Sequence, residues 1–226
     1  MVPADDVRPR RAAVVYNPVK VDVDRLRAAV AASESAAGWA KSDWFETSEV
    51  DPGIGQARQA LARGADVVLA VGGDGTVRAV AEGLQNSGVP LALLPAGTGN
   101  LLARNLRLEL GSSRLEASVD AAFTGTDSAI DVGVVEIERP DGTTETHSFV
   151  VMAGLGLDAK MVANTNPTLK KRVGWLAYVD AIGRSLVDKQ VLRLRYRLDG
   201  EEERAARVHT VIIGNCGSLP GNILLL

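Results

Sequence analysis

The sequence predicts an α/β fold: a Rossmann-like parallel-sheet domain, then an antiparallel β-sandwich domain with an inserted helix. Three observations predict it. Short, wholly apolar runs at 67–71 and 91–94 have the pattern of strands buried on both faces. Each runs into a glycine-rich turn and then a helical pattern, so strands and helices alternate through the first half of the chain. Past Gly125 the pattern becomes alternating strands joined by Asp-Gly turns, which is how hairpins are written.

In chain order, residues 12–16 form the first strand, ending in the turn Asn17-Pro18-Val19-Lys20. Residues 22–37 form an amphipathic helix, with Val23, Leu26, Val30 and Ala31 at helical spacing and Asp22 as N-cap. A second strand at 41–45 ends in the polar run Glu46-Thr47-Ser48-Glu49. The helix at 53–63 stops at Gly64, as a C′ glycine would make it. Strands at 67–71 and 91–94 precede helices at 77–84 and 101–106, and a further helix spans 113–123. This order implies a parallel sheet with right-handed crossovers.

The second domain opens with strands at 128–138 and 144–153 around Pro140-Asp141-Gly142. Gly154-Leu155-Gly156-Leu157-Asp158 reads as a glycine-rich loop ending on a carboxylate. Residues 167–189 read as one long helix with a stripe of Leu169, Val173, Leu176 and Ile182. Its Lys170, Lys171 and Arg172, with Trp175 and Tyr178, would suit an anionic bilayer, although a packed helix with solvated lysines is the commoner explanation. Residues 191–198 alternate strictly, with Arg193, Arg195 and Arg197 on one side. Asp199-Gly200 is the turn, 207–214 the return, 215–221 a loop and 223–226 a strand. An apolar strand there leaves an exposed edge, so this domain is expected to continue past Leu226. The expected division is 11–125 and 126–226.

The net charge of -3 argues against a broad nucleic-acid-binding face. A single cysteine, Cys216, rules out an internal disulfide and, with only two histidines, leaves no zinc-ligand cluster. No apolar run approaches the ~20 residues of a membrane span, and residues 1–11 hold no apolar signal core. The expectation is a cytoplasmic protein with at most peripheral membrane contact, in an assembly that leaves room for a homodimer.

The chemistry points to the strand ends. Gly72-Gly73-Asp74-Gly75-Thr76 follows the third strand and Pro95-Ala96-Gly97-Thr98-Gly99-Asn100 the fourth. A glycine turn that opens a helix collects backbone N–H groups at the helix N-terminus and favours phosphate. Two such loops on successive strands would lie side by side where open α/β sheets bind ligands. Neither is a Walker loop, and no Gly-x-Gly-x-x-Gly follows the first strand. Asp74 is out of place beside phosphates. It would share a magnesium ion, take a hydroxyl proton, bind a ribose or accept from nearby amides; for a lone Gly-Asp-Gly the last is the default.

Together, Asn17-Pro18, Gly72-Gly73-Asp74-Gly75-Thr76, Pro95-Ala96-Gly97-Thr98-Gly99-Asn100 with Ala103-Arg104, and Gly156-Leu157-Asp158 resemble the diacylglycerol kinase catalytic-domain family, which includes bacterial lipid kinases and sphingosine kinases. The resemblance covers residues 11–226. It implies an N-terminal domain for ATP with Mg2+ and a C-terminal sandwich for a lipid bearing a free hydroxyl. By position it makes Asn17, Pro18, Thr47, Gly72, Gly73, Asp74, Gly75, Thr76, Gly97, Thr98 and Asn100 nucleotide contacts. Asp74 and Asp158 become the carboxylates near the acceptor hydroxyl, and no residue is assigned as a resident metal ligand. Two departures stand out: Val19-Lys20 replace the family's glycine after Asn-Pro, and the late Asp-Gly-Asp/Glu-like motif that carries the proposed base is missing. Asp199-Gly200-Glu201 has its letters but sits in a hairpin too early in the domain.

Three rival readings remain at this level. NAD kinase shares Gly-Gly-Asp-Gly but wants an Asn-Glu pair, and Gly99-Asn100-Leu101 offers no acid. A non-catalytic nucleotide- or lipid-binding fragment would fit the missing motif. A plain structural α/β domain would leave the paired loops unexplained.

Overall fold

The computed structural model describes residues 8–109, 111–156, 191–219 and 223–224. The chain divides into two compact units, Met1–Val150 and Val151–Leu226.

The first unit is built on a four-stranded sheet in the order β2-β1-β3-β4, made of β1 (Arg11–Tyr16), β2 (Ala40–Glu46), β3 (Val67–Gly72) and β4 (Leu91–Pro95). All neighbouring strands are parallel. Every residue of β3 is buried, as a central parallel strand covered on both faces requires. The covering helices are α1 (Val23–Ala37), α2 (Ile54–Ala62), α3 (Asp74–Leu84), α4 (Leu101–Asn105) and, after a 3₁₀ turn at Ser112–Arg114, α5 (Leu115–Thr124). α1 packs with α5, and α2 with α3. That pairing follows from right-handed crossovers: the step from β1 to β2 runs opposite to the steps from β2 to β3 and β3 to β4, so α1 covers the face opposite α2 and α3.

The α1–α5 face carries the larger side chains. Val14, Leu26, Val30, Leu69, Val71, Val119 and Phe123 form one buried cluster, with Trp39 set edge-on to Phe123 at 5.0 Å. The opposite face is alanine-rich and tighter. A Cβ on Gly83 of α3 would stand 2.7 Å from the Ala57 Cβ and 2.8 Å from the Ile54 carbonyl oxygen of α2, so glycine sets the interhelical distance there.

The caps agree with the sequence reading. Asp22 accepts from the Arg25 N–H at 3.0 Å to start α1, and Gly64, at φ +73°, follows the end of α2. α3 begins earlier than the expected residue 77: Gly73 is its N-cap and Asp74, Gly75 and Thr76 form its first turn. An acidic residue in a first turn is favoured by the helix dipole.

The last elements of this unit are the antiparallel strands β5 (Gly133–Glu138) and β6 (Thr144–Phe149). Residues 128–132 do not join β5, contrary to the expected strand from 128. The hairpin is tied to α3: Ser148, buried, donates its hydroxyl to Gln85 Oε1 at 2.9 Å, and Arg78 donates to the Ser148 carbonyl at 3.4 Å.

The second unit contains small antiparallel sheets. The expected strand 144–153 breaks at Val150–Val151. A separate strand, β7 (Met152–Gly156), then pairs with β10 (Thr210–Gly214). Gly154-Leu155-Gly156 is therefore strand and not loop: its backbone is paired to Thr210–Ile212, and strand glycines suit such close pairing. β8 (Leu192–Tyr196) pairs with β9 (Arg204–Val208) around a turn with Asp199 and Gly200 at φ +40° and +81°. The return thus starts at Arg204, before the expected 207, and is interrupted at His209 where the chain leaves for β7. β11 (Ser218–Leu219) pairs with β12 (Ile223–Leu224). The helix expected at 167–189 lies outside the described residues. No described helix is long and apolar enough to cross a membrane.

Two stability predictions follow from the first unit. In an open helix Gly→Ala gains about 1 kcal/mol. Gly83→Ala should instead lose a net ~1–2 kcal/mol in urea denaturation, because its methyl collides with backbone and a rigid Cβ. Burial pushes the Asp66 carboxyl up, but the Arg11 N–H, at 2.7 Å, and the Arg8 guanidinium, at 2.9 Å, outweigh it and hold Asp66 below the usual carboxylate range. A depressed carboxylate stabilises the fold above its unfolded value, and that contribution is lost as pH falls through the folded value. Asp66→Asn should therefore lower the melting temperature at neutral pH, with the gap closing in acid.

Candidate functional site

The register of the sheet brings four strand ends to one edge. Tyr16 lies beside both Glu46 and Val71, and Gly72 beside Pro95. The ladder extends one residue into the loops: Thr47 N–H donates to Tyr16 O at 2.9 Å, Asn17 N–H to Val71 O at 2.9 Å, and Ala96 N–H to Gly72 O at 2.8 Å. Connections leave β1 and β3 in opposite directions, so the switch in strand order lies between them, where open α/β sheets bind ligands.

The two glycine loops interlock. A Cβ on Gly97 would stand 2.6 Å from the Gly73 Cα and 2.8 Å from the Asn100 Oδ1, so the second loop tolerates no side chain at Gly97, whereas a Cβ on Gly73 would make an ordinary contact at 3.4 Å. Asn100, buried and at φ +50°, ties its own loop: Oδ1 accepts from the Gly97 N–H at 3.0 Å and Nδ2 donates to the Gly97 carbonyl at 2.8 Å. Asn100 is also the N-cap position of α4, yet its side chain does not cap that helix. Asp74 does. Its Oδ2 accepts from the Asn100 N–H at 2.9 Å and its Oδ1 from the Leu101 N–H at 2.5 Å. One carboxylate thus begins α3 and caps α4.

The expected site residues differ in exposure. Gly75 and Thr98 face solvent, and Asn17, Pro18, Gly73, Asp74 and Gly97 are half-buried. Thr47, Gly72, Thr76 and Asn100 are buried, and the Thr76 side chain fills the space beside the Gly72 Cα. Asn17 makes an Asx turn, its Oδ1 accepting from the Val19 N–H at 3.1 Å. In the first turn of α3 the backbone N–H groups have no intrahelical acceptor, which leaves donors at this edge. Asp158 lies outside the described residues.

A cavity of about 410 Å³ opens beside the second loop. It brings Gly97, Thr98 and Asn100 together with Lys20, Arg25 and Arg104, but does not include Gly72 to Thr76. Sequence pattern alone does not single out Lys20 and Arg25, although Lys20 closes the Asn-Pro turn and Arg25 sits in the first turn of α1. The Arg25 guanidinium grips Glu116 with two hydrogen bonds, at 2.8 and 2.7 Å, and holds that carboxyl below its usual range. Arg104 Nε donates to the Gly99 carbonyl at 2.7 Å. Among the described residues, no cluster of three or more His, Cys, Asp or Glu could hold a metal ion.

Removing the shared cap is a direct test of this arrangement. Asp74→Ala should cost ~1–2 kcal/mol in thermal unfolding and speed amide exchange at Asn100 and Leu101. Asp74→Asn, which keeps one acceptor oxygen, should lose less.

The comparisons with known proteins bear on this geometry. The sequence profile of the diacylglycerol kinase catalytic domain matches residues 11–135. A protein named diacylglycerol kinase from Mycobacterium tuberculosis is 31% identical over 166 residues, covering 74% of this chain and 52% of the relative. A probable lipid kinase YegS-like protein from Pseudomonas fluorescens is 33% identical over 175 residues, covering 75% of this chain and 52% of the relative. The chain therefore spans about half the length of these curated relatives. The crystal structure of a diacylglycerol kinase from Bacillus anthracis superposes with a TM-score of 0.63 at 20% identity, covering 95% of this chain and 67% of that one, which establishes the likeness of fold. With the profile matched from β1 to the start of β5, and with both glycine loops inside the match, this chain belongs to the diacylglycerol kinase catalytic domain family.

Proposed function

We propose that this chain is an ATP-dependent lipid kinase that transfers the γ-phosphate of ATP to a lipid hydroxyl, on a diacylglycerol or sphingoid-like acceptor. The observation that carries the proposal is the fusion of the two glycine loops, Gly73 against Gly97, with the α3 N-terminus open beside them. Such an edge presents backbone donors without side chains in the way, which is what a polyphosphate needs. Gly75 supports the fit: it is exposed, and a Cβ there would meet no atom within 4 Å.

In this reading Gly72 to Thr76, Gly97, Thr98 and Asn100 hold the phosphates, with Asn17, Pro18 and Thr47 at the neighbouring strand ends. Mg2+ would arrive with the nucleotide, as it commonly does, held largely by phosphate and water. Bound ATP and Mg2+ supply the activated phosphoryl group, and the chain's part is to position it and to balance its charge. Asp74 and Asp158 are the carboxylates proposed to act on the acceptor hydroxyl. Each Asp74 oxygen accepts one amide at the start of α4 and keeps a second lone pair, so the carboxylate can take a proton without giving up that cap. The lipid is assigned to the second domain expected from the sequence, residues 126–226, of which 126–150 fall in the first compact unit.

The test is an ATP titration beside a transfer assay with Mg2+ and a panel of hydroxyl lipids and NAD. Phosphate on a lipid is the expected result; phosphate on NAD would overturn the acceptor class, and binding without transfer would reduce the chain to a nucleotide-binding module. Gly97→Ala should raise the KM for ATP about tenfold or more and also lower the melting temperature, because the methyl would push the loops apart and collide with backbone as the Gly83 methyl does.

A further inference from the structure

The second unit carries a charge pattern that phosphoryl transfer does not use. Directly opposed residues of an antiparallel pair share a face. In the β8–β9 hairpin Arg193 is opposite Arg207 and Arg195 opposite Ala205. Arg193, Arg195 and Arg207 are exposed, and Arg197 continues the alternation at the strand end, also exposed. The other face, with Leu192, Leu194, Tyr196, Ala206 and Val208, is half-buried, so the arginine face is the outer one.

Like charges placed directly opposite each other cost stability. Among the described residues, Arg193 and Arg207 have no acidic partner to relieve that cost. The acids of this hairpin gather toward its turn: Glu203 approaches Arg195 at 3.9 Å, Glu201 pairs with Arg204 at 2.9 Å, and Asp199 and Glu202 lie between the strands. The result is an exposed row of arginines at two-residue spacing along β8, their Cα atoms about 6.5–7 Å apart, on a protein whose net charge is -3.

We propose that this arginine face docks the protein on an anionic lipid bilayer. Arginine matches phosphate geometry, and a row on one exposed face can meet a plane of headgroups. The acidic turn and the negative net charge disfavour a long nucleic acid. The inference rests on the lipid acceptor proposed above, which would reside in such a bilayer.

The test is co-sedimentation of the whole chain with vesicles of phosphatidylcholine alone or mixed with phosphatidylglycerol. Wild type should pellet with the mixed vesicles only, and less so as salt rises. Arg193→Gln with Arg207→Gln should reduce that partition about 25-fold, roughly fivefold for each arginine. Its melting temperature should hold or rise, since a repulsive pair is gone, and Arg139→Gln on the β5–β6 hairpin should bind as wild type. Equal binding to neutral vesicles, undiminished binding by the double variant, or tighter binding to a DNA duplex than to the vesicles would overturn the proposal. Transfer to a short-chain lipid dispersed as monomers separates the two ideas: if it proceeds while docking fails, the kinase reading stands alone. If no lipid is phosphorylated, the sedimentation result still decides the docking.

Discussion

The contact on which the candidate site depends is the Asp74 carboxylate bound to the Asn100 and Leu101 amides. It joins residues far apart in sequence, and it is made at the first turn of one helix and the start of another. α4 is only five residues long and has no side-chain cap of its own. Without Asp74 its first amides would lack partners, and among the described residues the second loop would keep only its backbone link to the first, the Ala96 N–H to Gly72 O bond. Gly97 then sets how closely those loops approach, since a Cβ there would meet the Gly73 Cα at 2.6 Å.

This constraint explains why the loop is Gly-Asp-Gly instead of a run of glycines. The glycines leave the backbone of the turn free of side chains, with nothing within 4 Å of a Cβ on Gly75; the aspartate spends its charge on amides of the neighbouring loop rather than facing any anion directly. The α/β sheet beneath serves the same end. Its register delivers the four strand ends together, and a one-residue slip in any strand would carry its loop out of line.

The two faces of the sheet solve different packing problems. Large aliphatic and aromatic side chains fill the α1–α5 face, whereas α2 and α3 meet through Ala57 and Gly83 at near-contact distance. A close helix pair holds α3 firmly, and α3 carries Asp74 at its N-terminus. The precision of the site is thus inherited from an alanine- and glycine-lined seam on the α2–α3 side of the sheet.

The sequence by itself determined the alternating β/α order, the cap at Asp22, the stop at Gly64 and the pairing of two glycine loops, because each depends on local propensity, short-range periodicity or turn chemistry. It also placed Asp74 among the unusual residues. What it left open was which partner that carboxylate takes, and only the tertiary structure decided it, since the amides concerned belong to a different loop. The same limit explains the misread strand at 152–156: Gly154-Leu155-Gly156 has the local look of a loop, and only the pairing with 210–214 makes it a strand. Lys20 and Arg25 likewise join Gly97 and Asn100 around one cavity through the crossover of α1, a long-range arrangement to which single-chain patterns give no access.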